Sequence, residues 1–507
     1  MRTALSPRWP ARPEPRAPRA PHGHHGISAA RAAARPYAIA EPLSAAAERG
    51  RQQIVRLVFL IYLLVIFEGS LRKWVLPQFS QYIFFIRDPV LIVAYALATR
   101  HRLWPRGQVL FTASLWMAGL GLLLTALQSA FGASSELRLI LGVYGWRAYF
   151  LYVPLAFLVG NVFRQADLLR LCKLTLWLAV PIGALVMAQF FSPPGAVINV
   201  GNAAEEELQF RGLGLNAERT RPMGTFSSGA GQQQFTATAC AIALAFFIAP
   251  RHIRQPSFVL LALGAGGVLT AAALSGSRGT VLQCGLSLLF ALALGALGRG
   301  AAVKGRALAW PVALALASLL LYPVVFPEGF AAFTERWTVA DAAESKGFEW
   351  GVFGRAAFGL IDFLRLTSEV PLLGYGLGYG GNASITLGAS IDGVKPGFLA
   401  ETDFARHMVD LGPLFGMGYI VFRLVLAAWL TAMVLRATRQ SADPLPMLLL
   451  SYVAYVVVMG QITGQGAINL YGWLFAGLLI AACRHATPHR RQLAAPAPGR
   501  RRAARLQ

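Results

Sequence analysis

Three short segments set ionisable side chains beside apolar stretches, and their residue types define the chemistry open to this chain. The first is Arg221-Pro-Met-Gly-Thr-Phe226, with Arg211 upstream of it. The second is Ser275-Gly-Ser-Arg278-Gly279, a tight turn between two apolar runs. The third runs from Glu401 through Arg406, His407 and Asp410 to Gly412 and leads into another apolar run. Arginine at membrane depth is costly and faces protein or a watery cavity. Its planar fork grips phosphate oxygens bidentately. Several arginines converging on one such cavity suit a lipid-borne pyrophosphate. The plain alternative is snorkelling to headgroups or pairing with a nearby acid.

Glu401 stands where a long polar stretch returns to apolar sequence. A carboxylate there, near cations, could accept a proton from an attacking hydroxyl. It could equally be a helix-start residue stabilised by the N-terminal dipole. His407 falls on a different helical face from Glu401, which makes it a supporting group. Arg406 and Asp410 are one turn apart and read as an i,i+4 ion pair. Farther upstream Glu68, Arg72, Lys73, Arg87, Asp88 and Arg147 form a second polar set, in which Arg87 and Asp88 with Glu68 read as a clasp between helices. The four cysteines are scattered and no Cys/His metal spacing occurs, so no structural metal or disulfide framework is indicated.

The elements that must position these groups follow from composition. Of 507 residues 56% are hydrophobic and 14% charged, against about 25% charged in a soluble protein. Apolar runs long enough to cross a bilayer recur near 53–68, 82–99, 108–128, 139–161, 168–191, 226–249, 257–274, 279–297, 307–326, 411–435, 444–461 and 466–483. Only helices satisfy their own backbone in such runs, so the expected fold is all-α, a polytopic integral membrane protein of about twelve spans. An even count puts both tails on one side, which then holds 29 Lys/Arg against 13 on the other. The tails are therefore expected to be cytoplasmic, and the net charge of +23 is topogenic, with no nucleic acid as partner.

Residues 1–52 lack an apolar signal core and read as a disordered basic tail, with a second basic tail at 484–507. Spans one to nine occupy 53–326 and the last three 411–483. Between them lies an outer loop, 327–410, and long loops tend to be functional. Within it, residues 349–367, which carry Arg355, have the spacing of an amphipathic interfacial helix. Pro371–Gly381 is a glycine-rich turn that resembles a phosphate loop only superficially, because no Lys-Ser/Thr follows.

The strings RPMGTF, LSGSRG, PLLGYGLG and DLGPLFGMG, in this order and with a large outer loop before the last helices, resemble the bacterial O-antigen ligase/polymerase family. The early string Glu68-Gly-Ser-Leu-Arg72-Lys73-Trp74-Val-Leu-Pro77 is similar to a polysaccharide-polymerase subgroup, and the resemblance covers roughly residues 55–483. It implies a GT-C-like, metal-independent and cofactor-free glycosyltransferase of the inner membrane. The donor would be an undecaprenyl-diphosphate-linked oligosaccharide at the periplasmic face, with membrane lipids and a chain-length regulator as further partners. Ligases transfer to lipid A-core, polymerases to another lipid-linked repeat unit. The resemblance gives Arg221 and Arg278 the diphosphate leaving group; Arg211, Arg355, Arg406 and His407 are expected as further substrate contacts from their place beside these segments and in the outer loop. Ligases hold a histidine base where this chain has Glu401, which favours a polymerase acting by direct displacement with inversion. The rival reading from another class is a lipid-linked glycan flippase, against which stands the lack of similarity between the two halves.

Overall fold

In lipid a chain satisfies its backbone groups within helices, and the structure follows that rule. A computed structural model describes residues 44–130, 135–200, 212–213, 219–250, 256–298, 301–345, 351–381, 384 and 402–486. Among these the only strands are a two-residue antiparallel pair, Gly212–Leu213 with Arg219–Thr220. Helix α1 (Ala45–Ser70) passes into a π-turn at Leu71–Val75, and α2 is Arg87–Arg100. Then come α3 (Val109–Ala130), α4 (Ser135–Trp146) with a π-turn at Arg147–Leu151, α5 (Val153–Val162) and α6 (Gln165–Phe191). After the 192–228 segment follow α7 (Gly229–Ile248), α8 (Phe258–Ala273), α9 (Arg278–Leu297) and α10 (Ala301–Val325). The outer segment carries α11 (Pro327–Glu344) and α12 (Gly351–Ile361), and α13 (Asp403–Gln440), α14 (Leu445–Met459) and α15 (Gly466–His485) close the chain.

Nine helical stretches among the described residues are long and apolar enough to cross a membrane. Helices α8 and α14 are apolar but shorter, and α7 opens on the polar run Gly-Ala-Gly-Gln-Gln-Gln. The chain is a multi-pass, all-α membrane protein. Two helices start earlier than their apolar runs. Ser44 caps α1 by accepting from the Ala47 amide at 3.2 Å, so residues 45–52 are helix rather than tail. Thr402 likewise caps α13 through the Ala405 amide at 3.3 Å, which moves that start from 411 to Asp403.

Polar contacts sort the helix ends. At one end Arg51 pairs with Asp167 at 2.7 Å and Arg484 donates to the Gly160 carbonyl at 2.6 Å. A small apolar cavity there is lined by Leu168, Ala249, Asp443 and His485. At the other end the α1 π-turn meets residues 224–227, and α11 meets the 219–220 strand. Between the ends, Tyr62–Thr175 (2.7 Å), Thr238–Tyr471 (3.0 Å) and Ser287–Ser451 (2.9 Å) join helices side by side, as polar residues do in apolar bundles. Helix α15, with Tyr471, Trp473 and Phe475 buried, runs through the centre.

Candidate functional site

The segment carrying Arg221 is held by four side chains from two elements. The π-turn after α1 brings Arg72 and Lys73, neighbours in sequence, to one buried surface. Lys73 Nζ donates to the carbonyl oxygens of Gly224 (3.1 Å) and Phe226 (2.8 Å). Arg72 Nη1 donates to Ser227 Oγ at 3.1 Å, and Ser70 Oγ to the Thr225 carbonyl at 3.2 Å. From α6, Gln189 Oε1 accepts from the Gly224 amide at 2.7 Å. Gly224 has φ +60°, a left-handed conformation that glycine adopts without strain. Arg221 thereby lies over the first residue of α7, where a Cβ on Gly229 would stand 3.1 Å from its Nε.

The Arg278 turn reaches the same helix. Ser277 caps α9 through the Thr280 amide at 3.4 Å and donates to Gln233 Oε1 at 3.2 Å. Gly229 and Gln233 are one turn apart on α7, hence on one face. The Arg221 segment and the Arg278 turn therefore meet on the first turn of α7. Among the described residues no carboxylate lies within ion-pairing distance of Arg221. Burial, reinforced by the charge of Arg336, pushes the Arg221 guanidinium down to about 10. At neutral pH it is still a cation, half-buried and with no acid paired to it among the described residues, an arrangement that an anion would complete. Arg278 in turn has its Cζ 6.0 Å from the centre of the Trp337 ring on α11.

The third segment forms a separate, enclosed network. Asp403 accepts from Arg423 Nη1 (2.5 Å), Thr463 Oγ1 (2.7 Å) and Arg406 Nη1 (3.2 Å). Arg423 Nη1 is also 2.8 Å from His407 Nε2. A guanidinium only donates, so Nε2 accepts and Nδ1 carries the proton, which goes to Tyr149 Oη at 3.0 Å. Tyr149 donates to Asp410 Oδ2 at 3.1 Å, and Asp410 Oδ1 accepts from the Gly380 amide at 2.6 Å. The expected Arg406–Asp410 pair is thus replaced by Arg406–Asp403, because Asp410 is turned onto Gly380 and Tyr149. Arg406 Nε donates to the Gly380 carbonyl at 2.7 Å. Both His407 and Arg406 are buried, at 0% and 6% exposure, and brace the glycine-rich turn from behind.

That turn meets α13 where the helix breaks. Gly412 (φ +74°), followed by Pro413, interrupts α13. Gly374 (φ +72°) packs its backbone against Asp410 and Gly412, an approach that any Cβ would block. Across the break Tyr375 N donates to the Val409 carbonyl at 2.8 Å. Gln128 Nε2 donates to the Asp410 carbonyl at 3.0 Å while its Oε1 accepts from Leu377 N at 3.0 Å.

In the upstream polar set, Glu68 pairs with Arg87 at 3.2 Å and Arg72 at 3.5 Å. Asp88 joins Arg147 and Tyr152 instead of Arg87. The clasp is present, and through Arg72 it fixes the Arg221 segment. Glu401 and Arg211 lie outside the described residues, and Arg355 falls on α12 with its side chain outside them. Of the sequence candidates, the fold brings the segment of Arg221 and the turn of Arg278 to the first turn of α7, and joins Arg406 with His407 in the network behind the glycine-rich turn. Sequence reasoning passed over Arg336, Trp337, Tyr149 and Arg423. A signal for Arg423 was available, since it is a lone arginine inside an apolar run.

No protein-family model matches this chain, and no curated protein matches it. What fold and site define together is a multi-pass membrane protein with a cationic recess at one end of its bundle.

Proposed function

We propose that this chain is a membrane glycosyltransferase that polymerises lipid-linked glycans at the periplasmic face of a bacterial inner membrane. The observation that carries this reading is Arg221, half-buried without an acidic partner among the described residues and on a segment that shares the first turn of α7 with the Arg278 turn. Two arginine forks at one end of a membrane bundle suit a diphosphate on a lipid carrier. The order of the RPMGTF, LSGSRG and PLLGYGLG strings points the same way.

In this reading the acceptor hydroxyl attacks the anomeric carbon of an undecaprenyl-diphosphate-linked oligosaccharide. The bond from that carbon to the phosphate oxygen breaks, and its electron pair leaves with the diphosphate. Arg221 and Arg278 stabilise the charge that develops there. Glu401, two residues before Asp403, takes the hydroxyl proton. One displacement gives inversion. On this reading the bundle is GT-C-like, with twelve crossings and both tails in the cytoplasm, so that these groups act on the far side of the membrane.

Mass spectrometry of undecaprenyl-diphosphate glycans in a deletion strain, resolved by membrane side, tests the proposal. Single repeat units gathering at the periplasmic face are the expected result. Long lipid-linked chains there would make the protein a ligase, and units held on the cytoplasmic face would overturn the reading in favour of a flippase.

A further inference from the structure

The clasp in the upstream polar set is unbalanced in charge. Arg72, Arg87 and Arg147 stand around the ring of Phe84, their Cζ atoms 5.6, 5.7 and 4.9 Å from its centre. Among the described residues two carboxylates meet these three cations. Glu68 is shared between Arg87 and Arg72, and Asp88 is taken by Arg147 and Tyr152. Arg72 completes its bonds on Ser80 and Ser227. Arg87 does not. Its Nη1 goes to Glu68, while its Nε and Nη2 have no hydrogen-bond partner among the described residues, although the side chain is only 1% exposed.

Those two N–H groups lie on one edge of the guanidinium and point the same way, which is the edge that takes two oxygens of one anion. The edge stands at the first turn of α15. A Cβ on Gly466, the first residue of that helix, would be 3.0 Å from Arg87 Nη2 and 3.0 Å from Phe84 Cζ, so glycine permits the close approach. The first amides of a helix have no acceptor inside it, and Gln465 at the cap supplies none from its side chain. The helix dipole adds partial positive charge at the same end. Gln465, Gly466 and Ala467 are half-exposed, which leaves the helix start open to a ligand. A buried guanidinium edge without a partner is costly unless an anion meets it.

We infer that the free edge of Arg87 and the start of α15 form an oxyanion site for the phosphodiester of a phospholipid headgroup, separate from the Arg221 and Arg278 segments on α7. The inference goes beyond the proposed function and does not rest on it. One surplus positive charge matches a phosphodiester, which carries one negative charge. Two of its oxygens fit the guanidinium edge, and the α15 amides add donors. A lipid is favoured over a free anion by the flank of the site. Tyr82, Phe85 and Ile86, on the short stretch that leads into Arg87, are all exposed, and in a membrane protein they offer acyl chains a surface beside the headgroup.

The test is native mass spectrometry of the full-length protein, delipidated in detergent and titrated with phosphatidylglycerol or with diacylglycerol, which lacks the phosphate. Wild type is expected to take up its first phosphatidylglycerol at roughly one-tenth of the diacylglycerol concentration or less. Arg87→Lys keeps a charge for Glu68 and loses the edge, and is expected to bind phosphatidylglycerol about tenfold more weakly. Arg87→Gln is expected to bind more weakly still; if it does not fold, the lysine variant carries the test. Arg365→Gln, exposed on the outer segment, and Arg221→Gln are expected to bind as wild type does. An Arg87→Lys protein with undiminished phosphatidylglycerol binding would overturn the inference, as would wild-type binding equal for the two lipids, a comparison that needs no variant. Inorganic phosphate that raises the unfolding temperature of wild type and not of Arg87→Lys, with lipid binding equal in both, would make this a site for free phosphate and overturn the lipid assignment.

Discussion

Tyr149 donates its phenolic hydrogen to Asp410 at 3.1 Å although 261 positions separate them in sequence. Its oxygen also accepts from His407, so one hydroxyl joins the two halves of the enclosed network. Tyr149→Phe keeps the ring and removes both links, leaving buried partners unmet. The expected cost is about 2 kcal/mol of stability, read as a lowered unfolding temperature in detergent. Lost transfer with an unchanged unfolding temperature would instead make Tyr149 a reacting group.

Lys73 holds the Arg221 segment through two carbonyl oxygens. Lys73→Met removes both charge-assisted bonds while keeping most of the buried stem. Hydrogen exchange at residues 222–228 is then expected to rise, and polymer yield to fall, with the helices unaffected. Unaltered exchange across that segment would mean that Gln189 and Arg72 suffice without the lysine.

Arg221→Gln should separate stability from activity. A base whose folded pKa is pushed down to about 10 carries its charge at a cost to the fold at every lower pH, and that cost fades only as pH rises through 10. Removing the charge is expected to stabilise the protein by about 1 kcal/mol. Transfer is expected to drop by roughly 10²- to 10³-fold. A destabilised variant would show that Arg221 has a partner that the fold depends on.

Asp443 lies in the turn between α13 and α14, where its Oδ1 accepts from the Leu445 amide at 3.0 Å. Burial pushes its pKa up, so the folded state binds the proton more tightly than the unfolded one. Stability is gained as pH falls below the folded value and lost as pH rises through it. Asp443→Asn keeps the acceptor, and is expected to be the more stable protein at neutral pH with a flatter pH profile. Parallel wild-type and variant profiles would refute this.

The apolar runs made the helical architecture legible, because a long apolar stretch leaves the backbone no other solution in lipid. The ends were less legible. Ser44 and Thr402 extend their helices into polar sequence through caps, which hydropathy does not register. The Arg406–Asp410 spacing suggested an ion pair, but spacing carries no knowledge of Gly380, which arrives from another segment and takes Asp410. Arg221 and Arg278 stood out because their motifs are short and bounded. Trp337 did not, since an aromatic in a long polar loop looks the same whether it faces solvent or an arginine. Only the docking of α11, which sets it by Arg278, distinguishes the two.

The break at Gly412 also sets an order of construction. A membrane-crossing helix usually supplies its own backbone partners, but the carbonyls of Val409 and Asp410 borrow theirs from Tyr375 and Gln128. Both lenders precede the break in the chain. As the protein leaves the ribosome, Gln128 emerges first, the glycine-rich turn next, and the interrupted helix last. The weakest stretch of that helix is therefore synthesised after the groups that complete it.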